Sequence, residues 1–148
     1  MKIGFMDSGI GGLNVLQQAV KAMPGEEFLY YADSDNVPYG VKPKDEVIHY
    51  VDSAVGFLAG QGAGAIVIAC NTATSVAIDY IRQAYKLPII GMEPAVKPAI
   101  EKHPDKRILI TATPLSIKEE KLHNLLKRVD NNHRTDLLPL PRLVEYAE

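Results

Sequence analysis

"IVIACNTATSVAI", residues 66–78, joins two hydrophobic patterns of different period. Ile66, Val67, Ile68 and Ala69 form a short apolar, mostly β-branched run, which reads as a strand buried on both faces. After Asn71, Thr72 and Thr74, the apolar residues Val76, Ala77, Ile78 and Ile81 recur at helical spacing. Cys70, the one cysteine of the chain, therefore stands where a strand passes to a helix. In an open α/β sheet that rim is where ligands bind. On this stretch alone two readings of Cys70 stay open. It can pack as a small hydrophobe, or it can be a reactive thiol whose neighbouring helix N-terminus favours the thiolate and lowers a pKa that starts near ~8.5.

Working outward, strand and helix patterns alternate. Strands are predicted over 2–6, 28–32, 65–69, 88–92 and 107–111, and helices over 13–22, 45–59, 73–85, 96–101 and 115–129. Strands separated by helices of this length require right-handed crossovers and a parallel sheet, so the fold class is α/β with helices on both faces. The polar, Pro-containing "KHPDKR" at 102–107 reads as an inter-domain linker. "LPLPRLVEYAE" sets Pro141 at a helix start and ends about two turns later without a capping glycine, which reads as a cut chain.

The 148 residues amount to about one domain. A chain that is 47% hydrophobic and 23% charged can form an ordinary core. A net charge of −2 leaves no electrostatic footprint for nucleic acid. The basic residues Lys118, Lys121, Lys127, Arg128 and Arg134 are interleaved with Glu119, Glu120 and Asp130, as on a solvated helix face. No stretch approaches the ~20 apolar residues of a membrane span, and no signal peptide opens the chain. One cysteine excludes an internal disulfide framework and fits a reducing cytoplasm. His49, His103, His123 and His133 lack metal-ligand spacing, so no metal site is expected.

Each predicted strand ends in polar or reactive groups. Asp7, Ser8 and "GIGG" (9–12) follow the first, and "DSDNVPYG" with Pro38, Tyr39 and Gly40 follows the second. Cys70, Asn71 and Thr72 follow the third, Glu93 the fourth, and Thr111 and Thr113 the fifth. Parallel strands place these along one rim, where an acid, a thiol and several donors can surround a small ligand. The glycine run is not a dinucleotide fingerprint, because G-x-G-x-x-G from Gly9 needs glycine at Asn14. It admits either a tight turn or a close approach of backbone N–H groups to an anion. Tyr39 can pack against its loop or face the ligand, and Glu93 can be a helix-start acid stabilised by the helix dipole.

At this point the chain resembles the glutamate racemase family, within the wider aspartate/glutamate racemase group. The matching pieces are "GFMDSGIGGLNVL", "YYADSDNVPYG", "IVIACNTATSVAIDYIR" and "PIIGMEPAVKPA", with a looser match through "ILITATPLSIK" to "PRLVEYAE". The resemblance implies that Cys70 is the first of two catalytic thiols and that Asp7 manages its proton. It implies substrate contacts at Ser8, Pro38, Tyr39, Gly40, Asn71, Thr72, Thr113 and Ser116, with Glu145 supporting the second thiol's side. It also implies proton transfer without pyridoxal phosphate or any other cofactor, glutamate as substrate, and a cytoplasmic role in peptidoglycan precursor synthesis and cell shape. A homodimer is left open, and no nucleic-acid or membrane partner is implied.

The resemblance further places a first α/β domain at 1–94 and the start of a second, similar domain at 95–148, with an incomplete sheet and an open edge. The chain departs from the family at Ser116, where threonine is usual, and at Glu119, where a small hydroxyl residue is common. The family's second motif, Cys-Thr-His, is absent, so the chain is expected to hold one face of a two-thiol site and to be inactive alone. The alternatives are a racemase for aspartate or another acidic amino acid, and a truncated module that only binds one.

Overall fold

The stretch 66–78 folds as its two periods require. In the computed structural model, which describes residues 1–147, four parallel strands form one sheet: β1 (Lys2–Asp7), β2 (Glu27–Ala32), β3 (Ala65–Ile68) and β4 (Ile89–Gly91). Their order is β2-β1-β3-β4. Register pairs Asp7 with Ala32 on one side of β1, and Met6 with Ile68 on the other. Strand order thus reverses direction between β1 and β3, which opens a crevice at their carboxyl ends. Asp7 ends β1 and Cys70 lies two residues past β3, so both stand at that crevice.

Helix α1 (Leu13–Ala22) connects β1 to β2, α2 (Lys44–Gly60) connects β2 to β3, and α3 (Asn71–Ala84) connects β3 to β4. Right-handed crossovers that advance in opposite directions put α1 on one face and α2 and α3 on the other. On α2, Val47, Val51, Ala54, Val55 and Leu58 are buried, a stripe with helical spacing. They form one core with Met6 of β1, Ile66 and Ile68 of β3, and Ala73, Ala77, Ile78 and Ile81 of α3. Each fully buried Ile or Leu here contributes about 1.5–3 kcal/mol over its exposed state. Alternation along β1 turns Phe5 and Asp7 to the face opposite Met6.

Two further parallel strands, β5 (Ile108–Ala112) and β6 (Thr135–Pro139), form a separate sheet with α4 (Val96–Lys102), α5 (Pro114–Lys118), α6 (Glu120–Val129) and α7 (Leu143–Ala147). Three expectations change here. The helix expected over 115–129 is two, because Glu119 takes an extended backbone (φ −69°, ψ 132°) as the residue that caps α6. Its carboxylate is held 2.7 Å from Lys44 Nζ on α2. Strand β6 was not legible, since "TDLLP" shows no period-2 alternation and sits among prolines. Residues 103–107 form the loop between α4 and β5, and α4 packs on β5 and α6, so this polar stretch turns within one unit. The connection between the two sheets is Met92–Ala95.

Candidate active site

The "GIGG" turn is organised by Asp7. This buried carboxylate accepts the N–H groups of Gly9 and Gly12 through one oxygen, Oδ2, each at 3.1 Å. A Cβ on Gly12 would lie 2.8 Å from Asp7 Cβ and 2.9 Å from Ala69 Cβ, so glycine is required there for close approach. The run therefore forms a tight turn in which two of its N–H groups, those of Gly9 and Gly12, are taken up by a carboxylate of the chain itself.

Across the crevice, Cys70 is the N-cap of α3. Its Sγ accepts the N–H of Ala73 at 3.4 Å and lies 3.5 Å from Ser8 Oγ. That cap explains why α3 starts at Asn71, two residues earlier than expected. The thiol is buried, and its pKa is raised rather than lowered. Burial is the larger cause and the charge of Asp7 the second, and together they outweigh the hydrogen bonds from Ser8 and Ala73. Of the two influences on the thiol, desolvation therefore outweighs the helix N-terminus in the unliganded site.

A cleft of about 940 Å³ opens beside these groups, and both sheets line it. From the first sheet come Asp7, Ser8, Tyr39, Gly40, Cys70, Asn71 and Thr72, and from the second Thr111, Thr113 and Ser116. The two walls are joined by a ring of hydroxyls. Thr113 Oγ1 donates to Ser116 Oγ at 3.0 Å, Ser116 Oγ donates to Thr72 Oγ1 at 3.2 Å, and Thr72 and Thr113 are 3.1 Å apart. Thr113 also caps α5, accepting the N–H of Ser116 at 3.3 Å.

Two of the expected residues stay outside the lining. Pro38, joined to Val37 by a cis peptide, precedes the 3-10 turn at Tyr39–Val41. Glu145 is exposed on α7 and paired with Arg142 at 3.4 Å, while its neighbours Leu143, Val144 and Ala147 line the cleft. A helix cannot turn all of these to one side. Glu93 lines the mouth and pairs with Lys121 of α6 at 2.9 Å, three residues before α4, so it is not that helix's start acid. Lys121 therefore belongs to the cleft, in contrast to the solvated face read for the basic cluster. The buried acid Asp33, bound to Tyr39, was not singled out from the sequence. Its signal was available: it follows β2 directly, where strand-end residues collect.

Among the described residues no helix is long and apolar enough to cross a membrane, and no group of three His, Cys, Asp or Glu side chains is placed to hold a metal ion.

A parallel α/β domain with an acid and a thiol flanking its switch point defines a class of protein built for chemistry on a small ligand. The chain belongs to the Asp/Glu/Hydantoin racemase family, whose model matches residues 3–144. It is 55% identical over 148 residues to a glutamate racemase of Halothermothrix orenii, covering 100% of this chain and 58% of that protein. It is 56% identical over 150 residues to glutamate racemase 2 of Bacillus subtilis, covering 100% of this chain and 57% of the relative. The fold matches the Escherichia coli glutamate racemase crystallised with L-glutamate and the activator UDP-MurNAc-ala, with a TM-score of 0.91 at 28% identity. That match covers 99% of this chain and 55% of the other. The chain thus spans somewhat more than half the length of the curated relatives it matches.

Proposed function

We propose that this chain supplies the Cys70 half of a cofactor-independent glutamate racemase site. The observation that carries the reading is the meeting of Cys70, Asp7 and a hydroxyl-lined cleft at the strand-order reversal, in a chain more than half identical to glutamate racemases along its whole length. Inverting an α-carbon needs a base on one face and an acid on the other. Cys70, as thiolate, removes the α-proton of one enantiomer and becomes the thiol. The electron pair left on the α-carbon then takes a proton from an acid on the opposite face, which gives the other enantiomer. In the reverse direction the Cys70 thiol donates.

Burial and the charge of Asp7 hold Cys70 above the ordinary thiol range in the unliganded site, which favours the donor form. Docking of the substrate ammonium beside the sulfur lowers the thiol's pKa and readies it to accept a proton. Asp7 manages that proton, and Ser8, Asn71, Thr72, Thr113 and Ser116 hold the substrate's polar groups so that the α-carbon faces the sulfur. With one cysteine among 148 residues, the second acid has to come from a different kind of residue, from further sequence or from another copy. In the same reading the protein acts in the cytoplasm, supplies D-glutamate for peptidoglycan precursors, and carries a second domain that begins near residue 95. A homodimer is tested by light scattering.

Alkylation provides the direct test. Native Cys70 is labelled at alkaline pH, and D- or L-glutamate slows the labelling more than aspartate does. Labelling that appears only after denaturation, or that glutamate leaves unchanged, returns Cys70 to a packing role.

A further inference from the structure

Asp33 is 6% exposed and is not among the residues that line the cleft. Its N–H donates to the Asp7 carbonyl at 3.0 Å, extending the β1–β2 ladder by one residue. Its side chain is fully engaged: Oδ2 accepts the Tyr39 hydroxyl at 2.5 Å, and Oδ1 accepts Asn36 Nδ2 at 2.9 Å. A buried carboxylate is costly unless it is hydrogen-bonded, so this pairing is a constraint on both partners and not an incidental contact.

Tyr39 is 2% exposed and stacks on Tyr50, with ring centroids 5.9 Å apart. The next residue, Gly40, is pressed against the other wall of the cleft. A Cβ there would fall 2.2 Å from Thr113 Cβ, within the hydroxyl ring that joins the two sheets. A shift of the Tyr39 ring therefore moves Gly40 relative to Thr113 and reshapes the cleft beside Cys70. Asp33 is tied by its backbone to the acid end of β1 and by its side chain to this turn, and it sets the distance between them.

We propose that Asp33 is a positioning residue for substrate binding: by holding the Tyr39 hydroxyl it fixes the Tyr39–Gly40 wall of the cleft against Thr113 and opposite Cys70. The assignment rests on the functional reading above. The Tyr39 proton is committed to Asp33, so that hydroxyl cannot also donate to a ligand carboxylate. Burial, followed by the hydrogen bond and charge of Asp33, pushes Tyr39 far above the ordinary tyrosine range. Tyr39 therefore contributes placement and shape, and no proton transfer.

The test is a double-mutant cycle of Asp33→Asn and Tyr39→Phe, read by glutamate protection of Cys70 from alkylation in the purified protein. Asp33→Asn keeps the shape and replaces a charge-assisted hydrogen bond with a neutral one, and is expected to raise the half-protecting glutamate concentration about tenfold. Without glutamate, the alkylation rate of Cys70 stays within about twofold of the parent, a margin that loss of packing around the thiol would exceed. Tyr39→Phe removes the partner hydroxyl and reproduces the shift even where Asp33→Asn fails to fold. The double variant is no worse than the larger single one, because both remove the same link.

Parent-like protection in both single variants overturns the proposal, as do additive effects in the double variant. Faster labelling of the unliganded variants also overturns it and reduces Asp33 to a core residue. A parent whose thiol neither glutamate enantiomer protects fails earlier, at the functional reading, and the positioning role falls with it.

Discussion

Ile66 and Ile68 on β3 are wholly buried, whereas Leu109 on β5 is 59% exposed and Leu138 on β6 is 41% exposed, although all four lie in parallel strands. The four-stranded sheet is covered by α2 and α3, with a continuous core running from Met6 to Ile81. Around the two-stranded sheet, among the described residues only Val96 and Leu122 are buried. The groups whose geometry the chemistry cannot relax, Asp7 and Cys70, stand on the covered sheet. The second sheet's side contributes the hydroxyls of Thr111, the helix cap Thr113 and Ser116, and two ion pairs, Lys44–Glu119 and Lys121–Glu93, span the units. Local stability follows buried apolar contact, so the wall built on the first sheet is expected to be the more stable of the two.

The comparison is broken most directly at the thiol. In D₂O the chain is expected to exchange the α-proton of one glutamate enantiomer weakly and with its configuration kept, if Cys70 is the one acid or base these residues bring to the α-carbon. Cys70→Ala lowers that exchange by roughly a thousandfold or more, which NMR and polarimetry measure together. Robust interconversion by the parent would show a second acid within these residues or across an oligomer interface, and the half-site argument would fall.

The next largest effect is in the core. Ile66→Ala leaves a cavity where the surrounding side chains cannot collapse, and costs about 2–5 kcal/mol in urea unfolding. A loss under 1 kcal/mol would show that the two sheets do not differ as described. Gly40→Ala comes third. Its Cβ overlaps Thr113, so the two walls separate and glutamate protects Cys70 less, with a stability cost of about 1–3 kcal/mol.

A smaller effect is set by pH. The Cys70 thiol is raised above its ordinary value, and Tyr85 is pushed up to about 12 by burial and the Asp52 hydrogen bond. The unfolded chain therefore releases these protons first, so their contribution to stability is full below about pH 8 and falls as pH rises through the ordinary thiol and tyrosine ranges. The rate of native Cys70 alkylation keeps climbing past the pH where an ordinary thiol levels off; a plateau near ~8.5 would contradict the burial argument. Smallest of all is Leu109→Ala, expected within about 0.5 kcal/mol of the parent because its side chain is already exposed.

Local pattern was sufficient for every strand of the first sheet and for the helices between them, because a chain of alternating β-branched runs and amphipathic stretches has few ways to bury both. It also placed Asp7, Cys70 and Thr72 on one rim, since residues after parallel strands share an edge. Tertiary structure decided the rest. Glu119 interrupts a helix whose apolar spacing runs on through it, and its carboxylate answers a lysine 75 positions away. Glu145 turns outward because Val144 and Ala147 on the same short helix face the cleft. The state of Cys70 was undecidable from its neighbours: a helix N-terminus favours the thiolate, but burial and Asp7 oppose it, and only packing determines how far water is excluded. Asp33 shows the same limit. An acid in a run of turn residues looks solvated until the fold closes a tyrosine over it, and a charge then becomes a fixed point of the cleft.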